Sequence, residues 1–390
     1  MRYPIKLLVL IIIISLSSLS VVQAQLLIAP VIIIEKDVLF RWTLDEGLVE
    51  VAPLPDEYER VLISPTSDLA LIITQTPEAL QTIEEECPCG GAYWPTNFTA
   101  VDMLTGEIIE VAPQEAGIPT IEQIQRSLPV FSPDGTQLAW IAGSEVSSLV
   151  IYDFATGETQ TIAEEIQSQT RVSQPAAITA WTSAGIFVEQ VDFDAVGDLH
   201  DGFAVYSSDG ERLVDTLSLE TLLPNSTYFI PSVPPVHYFH RNNGYFIADY
   251  QDSSVIMSES ERYNLADDSV TSLGGGTVYL TAATYPDAGS AIYMSPPMIR
   301  DDGKRIFDIY QNGQVIQNST SLPLLSPEGN AAIIDFGLAE GGGVQFTLWQ
   351  AESDVTDLVI LDMFPDFIDW GGYAYRWEPG RYPPQFNRHL

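Results

Sequence analysis

Two interleaved strand series constrain this chain more than any other feature. The first is a polar turn that runs straight into an apolar strand. It occurs at SPTSDLALIIT (64–74), SPDGTQLAWIA (132–142), TSAGIFVEQ (182–190), HRNNGYFIADY (240–250), YPDAGSAIYM (285–294), SPEGNAAIIDF (326–336) and WGGYAYRW (370–377). Successive starts lie 41 to 68 residues apart, room for four short strands with loops of variable length. In the second example Pro133 presets φ for the turn, Asp134 can bond its own backbone, and Gly135 takes a geometry that side chains resist. Leu138, Trp140 and Ala142 then fall on one strand face and Ala139 and Ile141 on the other. Both faces are apolar, the pattern of an inner strand packed between two sheets.

The second series is a two-stranded hairpin: 98–113, 148–163, 202–217, 260–274, 304–319 and 347–362, each lying between two starts and recognised by alternation and by turns such as TG, DG and NG. The seventh hairpin, Asp37–Pro53, lies at the other end of the chain. Seven starts and seven hairpins predict an all-β chain, a β-propeller of seven four-stranded blades. Its last blade is closed by N-terminal strands: inner strands from Trp370–Trp377, outer hairpin from Asp37–Pro53. Two packed β-domains are the structural alternative, and they do not explain the matched counts.

SPDGTQLAW followed by LVIYDFATGETQTI resembles the TolB-type (WD40-like, PD40) propeller repeat, with an SPDG turn, an apolar strand and a D-x-x-T-G-E hairpin. The hairpin motif is strongest at Asp153–Glu158 and Asp102–Glu107, and SPEG at 326–329 is a near match to the turn. The resemblance covers about three blades and implies a fold, which serves unrelated functions. Sialidase-type Asp boxes, blade-ending Trp-Asp pairs and periodic Gly-Gly pairs are not found, and no G-x-S-x-G elbow is present.

Residues 1–24 carry Arg2 and Lys6, the run LLVLIIII and a small residue at Ala24, the pattern of a secretory signal peptide cut after Ala24. A retained anchor is the alternative, but the apolar run is short against the roughly 20 residues a spanning helix needs. The expected division is a signal peptide at 1–24, a lead-in at 25–36, the propeller at 37–377 and a tail at 378–390. The expected location is secreted or extracytoplasmic, with no membrane insertion after cleavage. Losing Arg2 and Lys6 makes the formal charge of −37 more negative still and leaves Lys36 and Lys304 as the remaining lysines. Such a surface repels nucleic acid and anionic lipid.

Several residues invite chemistry. Cys87 and Cys89 in ECPCGG are expected to form a disulfide closing a small loop. A redox pair is the alternative, and Glu84–Glu86 would raise the thiol pKa against it. Asp192, Asp194, Asp198 and Asp201, with Gly197 for a turn, offer hard oxygen ligands to calcium. Their spacing departs from the D-x-D-x-D-G loop, and an acidic surface loop between the second and third strands of a blade explains them as well. No other cofactor is expected. Four histidines, His200, His237, His240 and His389, leave little for base catalysis. Of the aromatic C-terminal stretch, Trp370, Tyr373 and Tyr375 are expected to pack, while Trp377, Tyr382 and Phe386 offer a binding rim. Together these features predict a non-enzymatic scaffold for a protein or polysaccharide ligand. The alternative is a propeller enzyme, a metal-assisted lyase, hydrolase or lactonase, with its site at the central channel.

Overall fold

A computed structural model describes residues 30–43, 45–56, 58–86, 97–112, 126–143, 147–166, 178–193, 199–218, 222, 246–250, 253–257, 261–272, 279–280, 292–294, 298–299, 305–311, 314–319, 324–325, 331–340, 342–350, 356–361, 367–369 and 372–375. Its strands form seven antiparallel sheets. Blade 3 shows the plan from inside outward: Val130–Phe131, Gln137–Ala142, Ser147–Asp153 and Glu158–Ile166. Blade 4 repeats it with Ile178–Thr182, Gly185–Phe193, Leu199–Tyr206 and Arg212–Ser218. Blade 7 does so with Leu324–Leu325, Ala331–Leu338, Val344–Gln350 and Thr356–Leu361.

The two-faced apolar strands do what their pattern predicts. Leu138 and Trp140 pack toward blade 2 with Phe98 and Leu71, while Ala139 and Ile141 pack toward blade 4 with Ile186 and Val188. Trp140 meets Phe98 edge-on at 5.5 Å between centroids. Similar cores join blade 1 to blade 2 and blade 4 to blade 5. A further core seats Val31 and Ile33 of blade 1 against Ile333 and Phe346 of blade 7. Each fully buried large side chain in these seams contributes about 1.5–3 kcal/mol. Among the described residues, sheets stack face to face from blade 1 through blade 5, and blade 7 on blade 1, the arrangement of a β-propeller.

Closure differs from expectation in one respect. Blade 1 runs Phe367–Asp369, Val31–Glu35, Val38–Thr43, Gly47–Pro53 from inside outward. The N-terminal strands therefore complete a sheet begun by a C-terminal one, but they supply three strands, and the boundary of the propeller moves from 37 back to 31. Val31–Glu35 is buried along its whole length, so it outcompetes Gly372–Tyr375 for the second position. Gly372–Tyr375 instead joins blade 2, inside Tyr58–Ile63, Leu69–Thr74, Asn97–Asp102 and Ile108–Ala112.

Two further blades depart from the simple reading. In blade 5, Phe246–Tyr250 is the innermost strand and Ser253–Met257 the second, followed by Glu261–Asn264 and Ser269–Ser272. The start at 240–250 thus supplies the first strand of its blade. In blade 6, Tyr279–Leu280 is innermost and Arg305–Gln311 pairs outward with Gln314–Ser319. Its inner side pairs with both Ile292–Met294 and Met298–Ile299, in nearly continuous register. Residues 295–297, between these two short strands, lie outside the described residues.

Candidate functional site

Every blade has two ends. The turn between its first and second strands and the turn between its third and fourth emerge at one end, here the turn end. The connection between its second and third strands, and the passage to the next blade, emerge at the other, the loop end.

At the turn end Asp134, Asp153 and Asp102 are occupied by donors of their own blade. Asp134 Oδ1 accepts from Ser132 Oγ at 2.7 Å, Thr136 Oγ1 at 2.8 Å and Thr136 N at 3.1 Å. Asp153 Oδ1 accepts from the amides of Ala155 and Thr156, and its Oδ2 accepts from Gln137 Nε2 at 3.1 Å. Asp102 accepts the amides of Leu104 and Thr105 in the same way. Blades 1, 4 and 5 use Thr43, Ser207 and Asn264 at the corresponding place. Within a blade the two turns are then tied by one backbone bond: Met103 N to Asp68 O, Phe154 N to Thr136 O, Leu265 N to Ser254 O.

These bonds set the titration of the carboxylates. The Ser132 hydroxyl, ahead of burial and the Thr136 donors, holds Asp134 below the ordinary carboxylate range. For Asp153 the Thr156 amide and the Gln137 side chain act in the same direction. Burial pushes Asp102 upward, and the donors of Thr105 and Leu104 outweigh it. Much of the acidity at this end is therefore structural, each carboxylate closing its own turn.

The loop end carries the irregular features. Between the second and third strands of blade 2 the chain forms a helix, α1 (Pro77–Glu86), where a plain loop was expected. Thr76 Oγ1 caps it by accepting from Ala79 N at 3.3 Å, and Pro77 takes the first turn, where its missing donor is not needed. Ala79 and Thr82 are buried, so the helix is seated on the propeller by that face. Glu84–Glu86 close it without any basic residue in the last turn, an unfavourable end charge. Cys87 and Cys89 follow immediately and lie outside the described residues.

The acidic stretch of blade 4 leaves from the same end. Its strands continue further than expected, paired as far as Phe193 with Leu199, so the connection proper is Asp194–Asp198, outside the described residues. Asp192 stands on the rung of His200, and Asp201 on the next rung with Val191. Among the described residues no three His, Cys, Asp or Glu side chains gather as a metal-holding group.

The C-terminal segment shares this end as well. Gly372–Tyr375 runs antiparallel to Tyr58–Ile63, with Tyr375 beside Arg60, so the chain leaves Tyr375 at the loop end. Trp377, Tyr382 and Phe386, like His237, His240 and His389, lie outside the described residues.

Two features here had no sequence signal. Tyr58–Ile63 of blade 2 and Ile178–Thr182 of blade 4 each carry an extra residue near the loop end, between Tyr58 and Arg60 and between Ile178 and Ala180. In blade 4 that residue is Thr179, whose hydroxyl is buried with no hydrogen-bond partner among the described residues. The b–c turn of blade 1 is made by Lys36 and Asp37, both with positive φ (54° and 58°), a geometry non-glycine residues adopt at a cost. Elsewhere the exposed aliphatic residues Leu48, Ile108, Leu213, Val270 and Val315 open the outer strands. Leu48 and Val270 stand on the rungs of Trp42 and Tyr263 and cover them.

No protein family and no curated protein matches this sequence. Solved structures are similar in arrangement. TolB from Acinetobacter baumannii is 12% identical over 92% of this chain and 71% of its own, with a TM-score of 0.36. The β-propeller domain of the trilobed protease from Pyrococcus furiosus, described as having an open velcro topology, is 13% identical over 77% of this chain and 79% of its own, with a TM-score of 0.35. Oligogalacturonate lyase in complex with manganese is 13% identical over 83% and 82%, with a TM-score of 0.38. These similarities are of fold alone and do not decide the activity of this chain. Among the described residues no helix is long and apolar enough to cross a membrane.

Proposed function

We propose that this protein is an extracytoplasmic, non-enzymatic propeller scaffold that binds a protein or polysaccharide through its loop end. One contrast carries the reading. At the turn end Asp134, Asp153 and Asp102 are spent on their own turns. The inserted helix, the acidic connection and the C-terminal segment all leave at the other end. Connections on a rigid scaffold are where binding residues concentrate. The −37 formal charge favours basic or neutral partners over nucleic acid and anionic membranes.

The test is to replace residues 77–96 by a short Gly-Ser linker and to alter the turn end separately with Glu107→Gln/Glu158→Gln. Both proteins are compared with the parent on arrays of polysaccharides and of secreted proteins. The reading expects ligands of the parent to be lost by the loop-end variant and kept by the turn-end variant. The reverse pattern overturns it. Within the same proposal Cys87 and Cys89 are oxidised to each other, which intact mass with and without reductant measures. Calcium is the one cofactor worth testing. With Asp192 and Asp201 on successive rungs, calcium is expected to raise the melting temperature of the parent and of Asp192→Asn/Asp194→Asn alike; a response lost in the double variant would assign those residues a metal.

A further inference from the structure

Blade 2 differs from the other blades at its inner edge. In the other six sheets, among the described residues, the strand order ends inward at the blade's own first strand. In blade 2 the first strand, Tyr58–Ile63, is paired on its inner side by Gly372–Tyr375, a strand from the far end of the chain. We propose that this inner edge is an acceptor site for an extended peptide strand and that Gly372–Tyr375 occupies it in cis as a displaceable stand-in.

The register says what the site selects. Gly372 and Ala374 stand on the rungs of Ile63 and Val61, while Tyr373 and Tyr375 stand on those of Leu62 and Arg60. Val61 and Ile63 belong to the seam with blade 1 and Leu62 to the seam with blade 3. The ligand class is thus an extended peptide alternating small and aromatic residues, recognised by backbone ladder bonds and by that alternation.

The occupant is weakly held for a strand in this position. It has four residues, one of them glycine, and a single described ladder, to Tyr58–Ile63. Only Trp370 and Gly371 separate it from Phe367–Asp369 of blade 1. The described ladder runs from the Ile63–Gly372 rung to the Arg60–Tyr375 rung. Short strands with few cooperative partners open locally without global unfolding.

The experiment uses the full chain. Ala374→Pro removes a backbone donor at the centre of the ladder and should release the strand. A fluorescent peptide WGGYAYRW, the sequence of 370–377, is then titrated into parent and variant and followed by anisotropy. The variant is expected to bind it at least roughly tenfold more tightly than the parent, because its site is vacated. A variant that melts cooperatively yet takes up the peptide no better than the parent overturns the proposal. Hydrogen exchange on the unaltered protein gives a second measurement should Ala374→Pro not fold. The amides of Tyr373–Tyr375 are expected to exchange at least about tenfold faster than those of Leu71–Ile73, and equal rates contradict a displaceable strand. Neither outcome bears on the loop-end reading, whose test leaves residues 370–377 intact.

Discussion

Gly135 of blade 3 sits against Thr66 of blade 2, so close that a Cβ on Gly135 would lie 2.7 Å from the Thr66 hydroxyl. The two belong to equivalent turns, SPTSD and SPDGT. Each is closed by its serine, Ser64 or Ser132, donating to a carboxylate, Asp68 or Asp134, and accepting from the first strand amide, Leu69 or Gln137. The glycine therefore has two reasons: its φ of 72° and the neighbouring blade.

Gly135→Ala is expected to cost about 1–3 kcal/mol, part from the left-handed backbone and part from the contact. Thr66→Ala should remove the second part only. In a double-mutant cycle read by urea melts, the cost of Gly135→Ala should shrink in the Thr66→Ala background. Strict additivity would contradict the contact.

Gly210 closes the SSDG turn of blade 4 with its hydrogen bond to Ser207 O and abuts blade 3. A Cβ there would fall 1.7 Å from the Ile162 carbonyl oxygen, a backbone atom that cannot move aside. Gly47 has a comparable φ of 68° with nothing within 4 Å. Gly210→Ala should therefore be the most damaging of the three, and Gly47→Ala should cost only about 1–2 kcal/mol for the backbone. Equal losses at the two positions would remove the packing argument.

Buried hydroxyls test a different seam. Among the described residues Thr179 Oγ1 has no partner, and valine has nearly the same shape. Thr179→Val is expected to raise stability by about 1 kcal/mol, since an unsatisfied buried polar group costs about 1–3 kcal/mol. A loss of stability would mean that the hydroxyl is used.

The turn carboxylates set an acid limit. Asp102, Asp134, Asp153 and Asp267 all titrate below the ordinary value of 3.8 in the folded chain. Their folded pKa being depressed, their contribution is complete above the unfolded value and is lost as pH falls below 3.8 through the folded values. Asp134→Ala should therefore be less stable than the parent at pH 7, with the gap closing in acid below that point. A gap independent of pH would refute the linkage.

What the sequence revealed follows how local each determinant is. SPDG and D-x-x-T-G-E were legible because Asp134 and Asp153 bond within a few residues of themselves. Val31–Glu35 was not, because a strand buried on both faces has no alternation and VIIIE follows closely on the apolar LLIA of the lead-in. In blade 5 the NNG of HRNNG reads as the turn into a second strand, although the strand that follows it is the first of its blade. Gly372–Tyr375 was recognisable as a strand, but its neighbour was not, since pairing across three hundred residues leaves no local trace. The candidate site was legible only as a set of connections; that they share one end is a property of strand direction.

The central claim is that the two ends of the chain meet in one sheet, with Ile33 directly opposite Ile368. Residues so placed have Cα atoms about 4.5–5.5 Å apart, within disulfide reach. Ile33→Cys/Ile368→Cys, oxidised and digested, should give by mass spectrometry a linked pair of peptides from the two ends, and the link should raise the melting temperature. Two accessible, unlinked thiols in a protein that still melts cooperatively would contradict the closure.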